Sequence, residues 1–249
     1  MSLLQVSNLS KHFGSLVAVN DVSFHVEPGE LHAVIGPNGA GKTTVFNLIS
    51  GLLPPTAGTI RFGDVDIHQL PPYRRVRAGI ARTFQITEIF PELTVEENLR
   101  ISTEIAAGYR LRPWLSRAEA ANVREQVHRL VERVGLSTKA NRLVGELSHG
   151  DQRAVEIGLA LSLQPRLLLL DEPTAGMGDQ ETEDATELMQ QLHRTEKLTI
   201  VLIEHDMSLV FRLADRITVL AQGAVLASGT PDEIAGNEAV QAAYLGKEE

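Results

Sequence analysis

The stretch GPNGAGKTT at residues 36–44 constrains the fold of this chain more than any other stretch does. The apolar run LHAVI before it predicts a short β-strand, and the apolar residues after it recur at helical spacing. A buried strand that passes through a glycine-rich turn directly into a helix is typical of α/β proteins. We therefore expect a mostly parallel sheet covered by helices.

The same stretch has the pattern G-x-x-x-x-G-K-[ST], with Gly36, Gly41, Lys42 and Thr43 at its fixed positions. Glycines let successive backbone N–H groups curl around a polyphosphate, and the positive end of the following helix adds to the attraction. We expect Lys42 to reach the β- and γ-phosphates and the Thr43 hydroxyl to bind Mg²⁺. The sequence thus predicts that ATP or GTP binds along the whole loop: Gly36, Pro37, Asn38, Gly39, Ala40, Gly41, Lys42, Thr43 and Thr44.

The run LLLLDE at residues 167–172 supplies a second part of this site. An unbroken apolar strand is typical of the interior of a parallel sheet, and its last residues emerge at the carboxyl edge, beside the phosphate loop. There Asp171 can hold the Mg²⁺ shell, and Glu172 can act as a base or orient the attacking water. We therefore predict a site for nucleotide hydrolysis.

The rest of the chain indicates how this core is organised. β-like runs open the sequence and predict an antiparallel N-terminal part, and strands alternate with helices after Pro165. Between about residues 71 and 165 the pattern is mostly helical, and its clearest helix begins with a capping-box pattern at Ser116 and Glu119. We expect one α/β nucleotide-binding domain spanning residues 1–249, with a helical subdomain inserted at approximately residues 86–163.

Composition narrows the class of protein. The chain has no cysteine, which excludes disulfides and zinc–thiolate sites, and its net charge of −9 without a long basic run disfavours nucleic-acid binding. No stretch reaches the roughly 18 apolar residues of a membrane span, and the start MSLLQVSNLSK lacks the features of a signal peptide. We expect a cytoplasmic protein that works at a membrane only through partners.

Five motifs occur in a particular order: the phosphate loop, Gln85 in RTFQ, LSHGDQ at residues 147–152, Asp171–Glu172, and His205 in IEHD. In this order they resemble the motifs of an ABC-type ATPase cassette, which implies a P-loop NTPase core. The resemblance also implies that two copies pack head to tail. Each ATP then lies between the phosphate loop of one subunit and the signature, here LSHGDQ, of the other. Ser148 and the N–H of Gly150 would contact the γ-phosphate.

The resemblance assigns roles to the remaining motif residues. Gln85 would complete the shell of Mg²⁺ or of the attacking water, and His205 would form a hydrogen bond to the γ-phosphate. Phe13 falls where an aromatic ring stacks on the adenine in such cassettes. The implied catalytic residues are Glu172, His205 and Gln85, and the implied metal ligands are Thr43, Gln85 and Asp171.

The signature departs from the common LSGGQ pattern at two positions, because His149 replaces the first glycine and Asp151 replaces the glutamine. A carboxylate close to a triphosphate should repel it. Alternatively, Asp151 belongs to the first turn of a helix that begins at Ser148, where an acid suits the helix dipole. We favour this second interpretation and expect a working signature.

Three classes of cassette protein remain, namely importer subunits, exporter motors and soluble cassettes that act on ribosomes or DNA. A single cassette without a fused membrane span or a coiled coil favours an importer. Several stretches resemble the ATPases of branched-chain amino-acid importers: GIARTFQ, FPELTVEENL, DEPTAGM, IEHDM and EAVQAAYLG. GDQETE and LSHG instead lean toward their urea and short-amide relatives. The resemblance implies that the ATPase does not touch the solute, so its identity stays open here.

An importer of this kind implies several partners. They are two integral membrane permease subunits, a second ATPase subunit that is identical or paralogous, and an extracytoplasmic solute-binding protein, with no nucleic acid. The chain would then lie at the cytoplasmic face of the cell membrane. The apolar residues after Gln85 either line a groove for a helix of a membrane subunit or form the core of the insertion: Ile86, Ile89, Phe90 and Leu93.

Overall fold

The computed structural model describes residues 2–83, 89–109 and 115–245. Within these ranges the chain divides into two compact units. The sheet unit is formed by residues 2–82, 166–172 and 190–245. The helical unit is formed by the described residues of 83–165 together with residues 173–189.

The strands all lie in the sheet unit. In chain order they are β1 (Leu4–Phe13), β2 (Leu16–Val26), β3 (Leu31–Ile35), β4 (Ala57–Phe62), β5 (Val65–Asp66), β6 (Ile80–Arg82), β7 (Leu167–Asp171), β8 (Thr199–Ile203), β9 (Arg216–Ala221) and β10 (Ala224–Gly229). The helices are α1 (Lys42–Ser50), α2 (Pro72–Ala78), α3 (Val95–Ala106), α4 (Arg117–Arg133), α5 (His149–Leu161), α6 (Asp179–Gln190), α7 (Met207–Leu213), α8 (Pro231–Ala235) and α9 (Glu238–Leu245). Of these, α3, α4, α5 and all but the last residue of α6 belong to the helical unit.

The strands form two sheets. A four-stranded antiparallel sheet has the order β2-β1-β4-β5. A six-stranded sheet has the order β10-β9-β3-β8-β7-β6, and its neighbours are parallel except for the antiparallel pair of β10 and β9. The predictions of a mostly parallel sheet and an antiparallel N-terminal part are both confirmed.

The core of the sheet unit takes side chains from both sheets and from α1. Every residue of β3, β7 and β8 is buried, including the polar His32 and Thr199, which explains why these strands are mostly apolar in the sequence. Full burial of one such aliphatic side chain stabilises the fold by roughly 1.5–3 kcal/mol. The three strands are therefore a rigid platform for the residues that follow them.

The register of these strands brings their carboxyl ends to one edge of the sheet. Ile203 of β8 pairs with Val34 of β3 on one side and with Asp171 of β7 on the other. The residues that follow each strand, namely the phosphate loop, Glu172 and the segment containing His205, consequently start from neighbouring positions. This is the edge at which open α/β sheets bind their ligands.

One strand lies in a region that the sequence predicts to be mostly helical. Ile80–Arg82 forms β6 and pairs in parallel with β7 at the edge of the six-stranded sheet. Three residues are too few to show a strand periodicity, and their partners lie far along the chain. Non-local pairing therefore decides the conformation of this segment.

In the helical unit, α3, α4 and α5 pack on one another. The prediction for α4 is confirmed, because Ser116 and Glu119 form a reciprocal capping box and an apolar stripe including Val123 and Val127 is buried. Gly158 of α5 lies so close to α3 that a Cβ there would be 2.8 Å from Cδ2 of Leu99. Across the described parts of the chain, no helix combines the length and the apolar character that crossing a bilayer requires.

Candidate nucleotide site

The phosphate loop connects β3 to α1, and two of its glycines are required by close backbone approaches. A Cβ on Gly36 would lie 2.1 Å from the carbonyl oxygen of Leu220, and a Cβ on Gly41 would lie 2.6 Å from that of Ala18. Gly41 is the N-cap of α1 in the left-handed region, with φ of 99°, and offers no side chain to cap the helix. The N–H groups of the first helical turn are thus left for an anion.

Lys42 points back into this loop. Its buried ammonium donates hydrogen bonds to the carbonyl oxygens of Gly36, at 2.7 Å, and Pro37, at 3.2 Å. These two carbonyls hold the charge inside the curve of the loop, where the β- and γ-phosphates of a nucleotide are expected. Thr43 follows as the second residue of α1, and its side chain is exposed.

Glu172 and His205 lie in contact at the carboxyl edge of the sheet. Oε1 of Glu172 is 2.9 Å from Nε2 of His205. The backbone of Glu172 is in the left-handed region, with φ of 47°, and its N–H donates to the carbonyl oxygen of Ile203 at 2.9 Å. A non-glycine residue in this region costs of the order of 1–3 kcal/mol, a strain that is typical of functional sites. The turn after β7 therefore directs the Glu172 side chain toward His205, the second residue after β8.

Asp171 is fully buried and forms an ion pair with Arg82 of β6. Nη2 of Arg82 lies 2.8 Å from Oδ2 of Asp171, and Nη1 donates to Oδ1 of Asn47 in α1 at 2.6 Å. Arg82 thus ties the acid at the end of β7 to the helix that follows the phosphate loop. Arg82 is not among the site residues predicted from the sequence, because its only sequence signal is its place in GIARTFQ.

The C-terminal helix α9 returns to the phosphate loop. The backbone N–H of Gly36 donates a hydrogen bond to the Tyr244 hydroxyl, and burial of the ring raises the pKa of Tyr244 to about 12. Tyr244 is a second residue near the site that was not predicted from the sequence. Its one available signal was the family-like ending EAVQAAYLG.

Phe13 ends β1, and its ring is 45% exposed, with the Lys11 ammonium 5.1 Å from the ring centre. The hairpin joins it to β2, whose Ala18 approaches Gly41 of the phosphate loop. An exposed aromatic ring is suited to stacking on a base. Gln85 lies outside the described residues.

Ser148 and Gly150 belong to the helical unit, at the start of α5. Ser148 is the N-cap, and its hydroxyl oxygen accepts a hydrogen bond from the N–H of Asp151 at 3.3 Å. The interpretation of Asp151 as a residue of the first helical turn is therefore confirmed. In addition, the Asp151 carboxylate lies 2.6 Å from the ammonium of Lys139, so its charge is balanced within the same unit.

The apolar residues after Gln85 are unevenly buried. Phe90 is 49% exposed, whereas Ile89 and Leu93 are partly buried, and Ile86 lies outside the described residues. The Phe90 backbone is fixed by Asn98, whose Oδ1 accepts from its N–H at 2.8 Å. The aromatic ring is thus presented at the surface and does not belong to the core of the helical unit.

The residues present suit a magnesium–nucleotide complex. The Thr43 hydroxyl and the Asp171 carboxylate are oxygen donors, which Mg²⁺ prefers, and it normally completes its shell with phosphate oxygens and water. The parts of the chain that the structure describes contain no cluster of three or more histidine, aspartate or glutamate side chains suited to a metal ion. A metal ion that arrives with a nucleotide does not need such a cluster.

Comparison with known families decides the identity. Residues 19–175 match the family described as ABC transporter. The chain belongs to the ABC transporter family. Residues 224–249 match a second family, described as branched-chain amino acid ATP-binding cassette transporter. This ABC ATPase cassette therefore carries both a general nucleotide-binding region and a C-terminal region of a particular subgroup.

Two relatives are similar over nearly their full length. The cassette is 43% identical to the high-affinity branched-chain amino acid transport ATP-binding protein BraF of Pseudomonas aeruginosa, over 98% of each chain. It is equally identical, over 98% of each chain, to the LivG protein of Escherichia coli strain K12, which has the same description.

Solved structures agree with the fold. The ADP conformation of the ATP-binding cassette MJ1267 superimposes with a TM-score of 0.86 at 32% identity, covering 99% of this chain and 100% of that one. The cassette MJ0796, solved as a dimer in a post-hydrolysis state with ADP and Pi, gives a TM-score of 0.75 at 25% identity, covering 92% and 98%. The fold of this cassette is accordingly that of a P-loop NTPase, and the protein is an ATPase.

Proposed function

We propose that this cassette is the ATP-hydrolysing subunit of a membrane importer for branched-chain amino acids. One observation carries the choice of solute class: the C-terminal region, residues 224–249, matches the family of branched-chain amino-acid cassettes. The two relatives with 43% identity have the same described solute, which supports the choice. Tyr244, which contacts the phosphate loop, lies in this same region.

The geometry of the sheet unit supports a distinct role for each residue of the nucleotide site. Lys42 exchanges its two carbonyl partners for the β- and γ-phosphates, which the loop N–H groups surround. Thr43, Asp171 and Gln85 hold Mg²⁺, which supplies charge neutralisation to the phosphates when it is bound. Glu172 orients the attacking water and accepts its proton, and Phe13 stacks on the adenine.

His205 has two tasks in this proposal. Its Nε2 atom lies 2.9 Å from Glu172, so the imidazole fixes the direction of the carboxylate. It also reaches the γ-phosphate once a nucleotide is bound. The strained backbone at Glu172 and the hydrogen bond to Ile203 keep the carboxylate in place before the substrate arrives.

Ser148 and Gly150 complete the site of a second copy of the cassette or of a paralogue. Both residues stand at the N-terminus of α5, where backbone N–H groups and the helix dipole favour a phosphate. The similar cassette MJ0796 was solved as a dimer with ADP and Pi, which supports the pairing of two cassettes. The helical unit, in this proposal, is the inserted helical subdomain, whose expected range was residues 86–163.

The exposed ring of Phe90 is the docking point for a permease. An aromatic side chain that is half exposed beside the partly buried Ile89 and Leu93 is suited to receive an apolar helix. Two permease subunits hold the ATPases at the cytoplasmic face of the membrane, and an extracytoplasmic protein delivers the solute. Closure of the ATPase dimer is transmitted to the permeases through this contact.

Uptake of labelled leucine and labelled urea tests the proposal. Cells that lack their own copy of the gene receive the native protein, Lys42→Ala, or the matched control Lys197→Asn. The control removes a lysine from an exposed turn and keeps a residue type that tolerates its left-handed backbone, with φ of 56°. We expect Lys42→Ala to abolish the uptake of leucine but not that of urea. The control Lys197→Asn should support leucine uptake at the native level.

The alternative outcomes separate the solute from the activity. Selective loss of urea uptake would assign the cassette to a urea or short-amide importer. Loss of neither would leave the ATPase in place and reject branched-chain amino acids as the solute. Immunoblots of the three proteins exclude differences in their amounts.

A further inference from the structure

Glu181 joins the first turns of two helices within the helical unit. It lies in the first turn of α6, where its Oε2 atom accepts a hydrogen bond from the N–H of Gly178 at 3.2 Å. Its Oε1 atom accepts a second hydrogen bond, from the N–H of Gly150 in the signature, also at 3.2 Å. The first contact closes the start of α6 itself, as acidic residues at this position commonly do. The second contact has no such local explanation.

The signature surrounds this carboxylate with donors. Besides the N–H groups of Gly150 and Gly178, the nearby Ser148 hydroxyl and the charge of a protonated His149 favour the ionised form of Glu181. Together they hold the pKa of Glu181 below its usual value, with the hydrogen bond from Gly150 as the largest cause. The group is therefore an anion in neutral solution, held by the N-terminus of α5.

The packing of Glu181 also accounts for the glycine at position 150. A Cβ on Gly150 would lie 3.1 Å from Cβ of Glu181 and 3.3 Å from its Cγ. Both distances are shorter than ordinary van der Waals contact. Gly150 thus allows the Glu181 side chain to lie directly against the signature.

We propose that Glu181 occupies the donors of the signature in the resting subunit and must release them to the γ-phosphate of an ATP held by the opposing subunit. This inference rests on the proposed function, which gives Ser148 and Gly150 that contact. Carboxylate and phosphate oxygens compete for the same N–H and O–H groups, and two anions cannot share them without repulsion. Glu181 is accordingly a positioning residue that sets the ATP concentration at which the two subunits close.

The test measures ATP-dependent dimerisation in protein that carries Glu172→Gln, so that hydrolysis does not reopen the dimer. Three proteins are compared by light scattering across an ATP titration: this parent, the parent with Glu181→Gln, and the parent with Glu187→Gln. Glutamine keeps the shape of the side chain but forms weaker, uncharged hydrogen bonds, so we expect the half-maximal ATP concentration to fall about fivefold. Glu187 is an exposed acidic residue of the same helix, so Glu187→Gln should not change this half-maximal ATP concentration, the threshold for dimerisation.

Two further measurements distinguish competition between Glu181 and the γ-phosphate from a purely structural effect of the substitution. Binding of a fluorescent ATP analogue to dilute, monomeric protein should be the same in all three proteins, because the sheet unit is not altered. An unchanged or higher threshold with Glu181→Gln, or an equal fall with Glu187→Gln, would overturn the inference while leaving the proposed function intact. A parent protein that remains monomeric at saturating ATP would rule out a dimer of two identical copies and overturn this inference for that pairing.

Discussion

Oε1 of Glu172 lies 2.9 Å from Nε2 of His205, although the two residues follow different strands of the six-stranded sheet. The contact exists because β7 and β8 are parallel neighbours in register, with Asp171 opposite Ile203. Glu172 directly follows the end of β7 and His205 is the second residue after the end of β8, so the two strands bring them to the same place. The two side chains form one unit, and their functional effects should depend on each other.

Glu172→Gln should still bind ATP but hydrolyse it at least about a hundred times more slowly, since a positioned base contributes roughly 10²–10⁴-fold. It should also accumulate as a symmetric dimer in the presence of ATP. His205→Ala should lower kcat as well, and the double variant should be little worse than Glu172→Gln alone, because the residues act together. Steady-state ATPase assays and light scattering measure these effects. Normal hydrolysis by Glu172→Gln, or losses that simply multiply, would contradict the assignment.

The signature gives a second prediction, because Lys139 balances the charge of Asp151 at 2.6 Å. Asp151→Gln should leave kcat similar and lower KM for ATP only modestly. Lys139→Met should raise KM about threefold, since it leaves the carboxylate uncompensated near the phosphates, an effect on the scale of a partly exposed ion pair. The double variant should return to nearly the native KM. A large rise in kcat with Asp151→Gln would instead mean that the native signature is impaired.

The two motifs that local chemistry dictates could be predicted from the sequence alone. The glycines, Lys42 and Thr43 stand at fixed spacing because all of them must contact the phosphates from one short loop. Unbroken apolar runs indicate strands in the interior of a parallel sheet. The start of α5 at Ser148 could be predicted for the same reason, since caps act over three residues.

Contacts between distant segments could not be predicted. Arg82 meets Asp171 only because β6 pairs with β7, and β6 has no periodicity of its own. Tyr244 reaches Gly36 from the other end of the chain. Nothing in the local sequence distinguishes Glu181 from the other acids of α6. These residues became visible only once the fold had placed their partners.

Asp206 gives a prediction about stability and its pH dependence. It is the N-cap of α7, and its carboxylate accepts from the N–H groups of Ser208, at 2.8 Å, and Leu209, at 3.3 Å. Asp206→Ala should therefore lower the free energy of unfolding by about 1 kcal/mol at neutral pH. Chemical denaturation measures the difference.

The pH dependence follows from the pKa of this carboxyl, which the Ser208 hydroxyl and then the backbone N–H groups lower from its ordinary value. A group with a lowered folded-state pKa stabilises the fold above its unfolded value, about 3.9, and loses that contribution as the pH falls through the folded value. The difference in the free energy of unfolding between the native protein and Asp206→Ala should thus be constant near neutral pH and decrease below about pH 4. Asp206→Asn, which still caps the helix, should keep most of the stability. A difference that increases in acid would contradict this account.

A substitution of Phe90 tests whether this residue connects the ATPase to the permease or only stabilises the fold. Its ring is 49% exposed, and its backbone is held by Asn98 rather than by its own side chain, so Phe90→Asp should change stability by no more than about 0.5 kcal/mol. If the ring receives a permease helix, the same change should abolish ATP-dependent leucine uptake, because it places a charge in an apolar contact. ATP binding by the isolated protein should be unaffected. Ile105→Asp is the matched control, since Ile105 is 47% exposed near the other end of α3. Equal losses of stability and ATP binding in Phe90→Asp, or equal losses of uptake in both variants, would show that Phe90 is not the docking point.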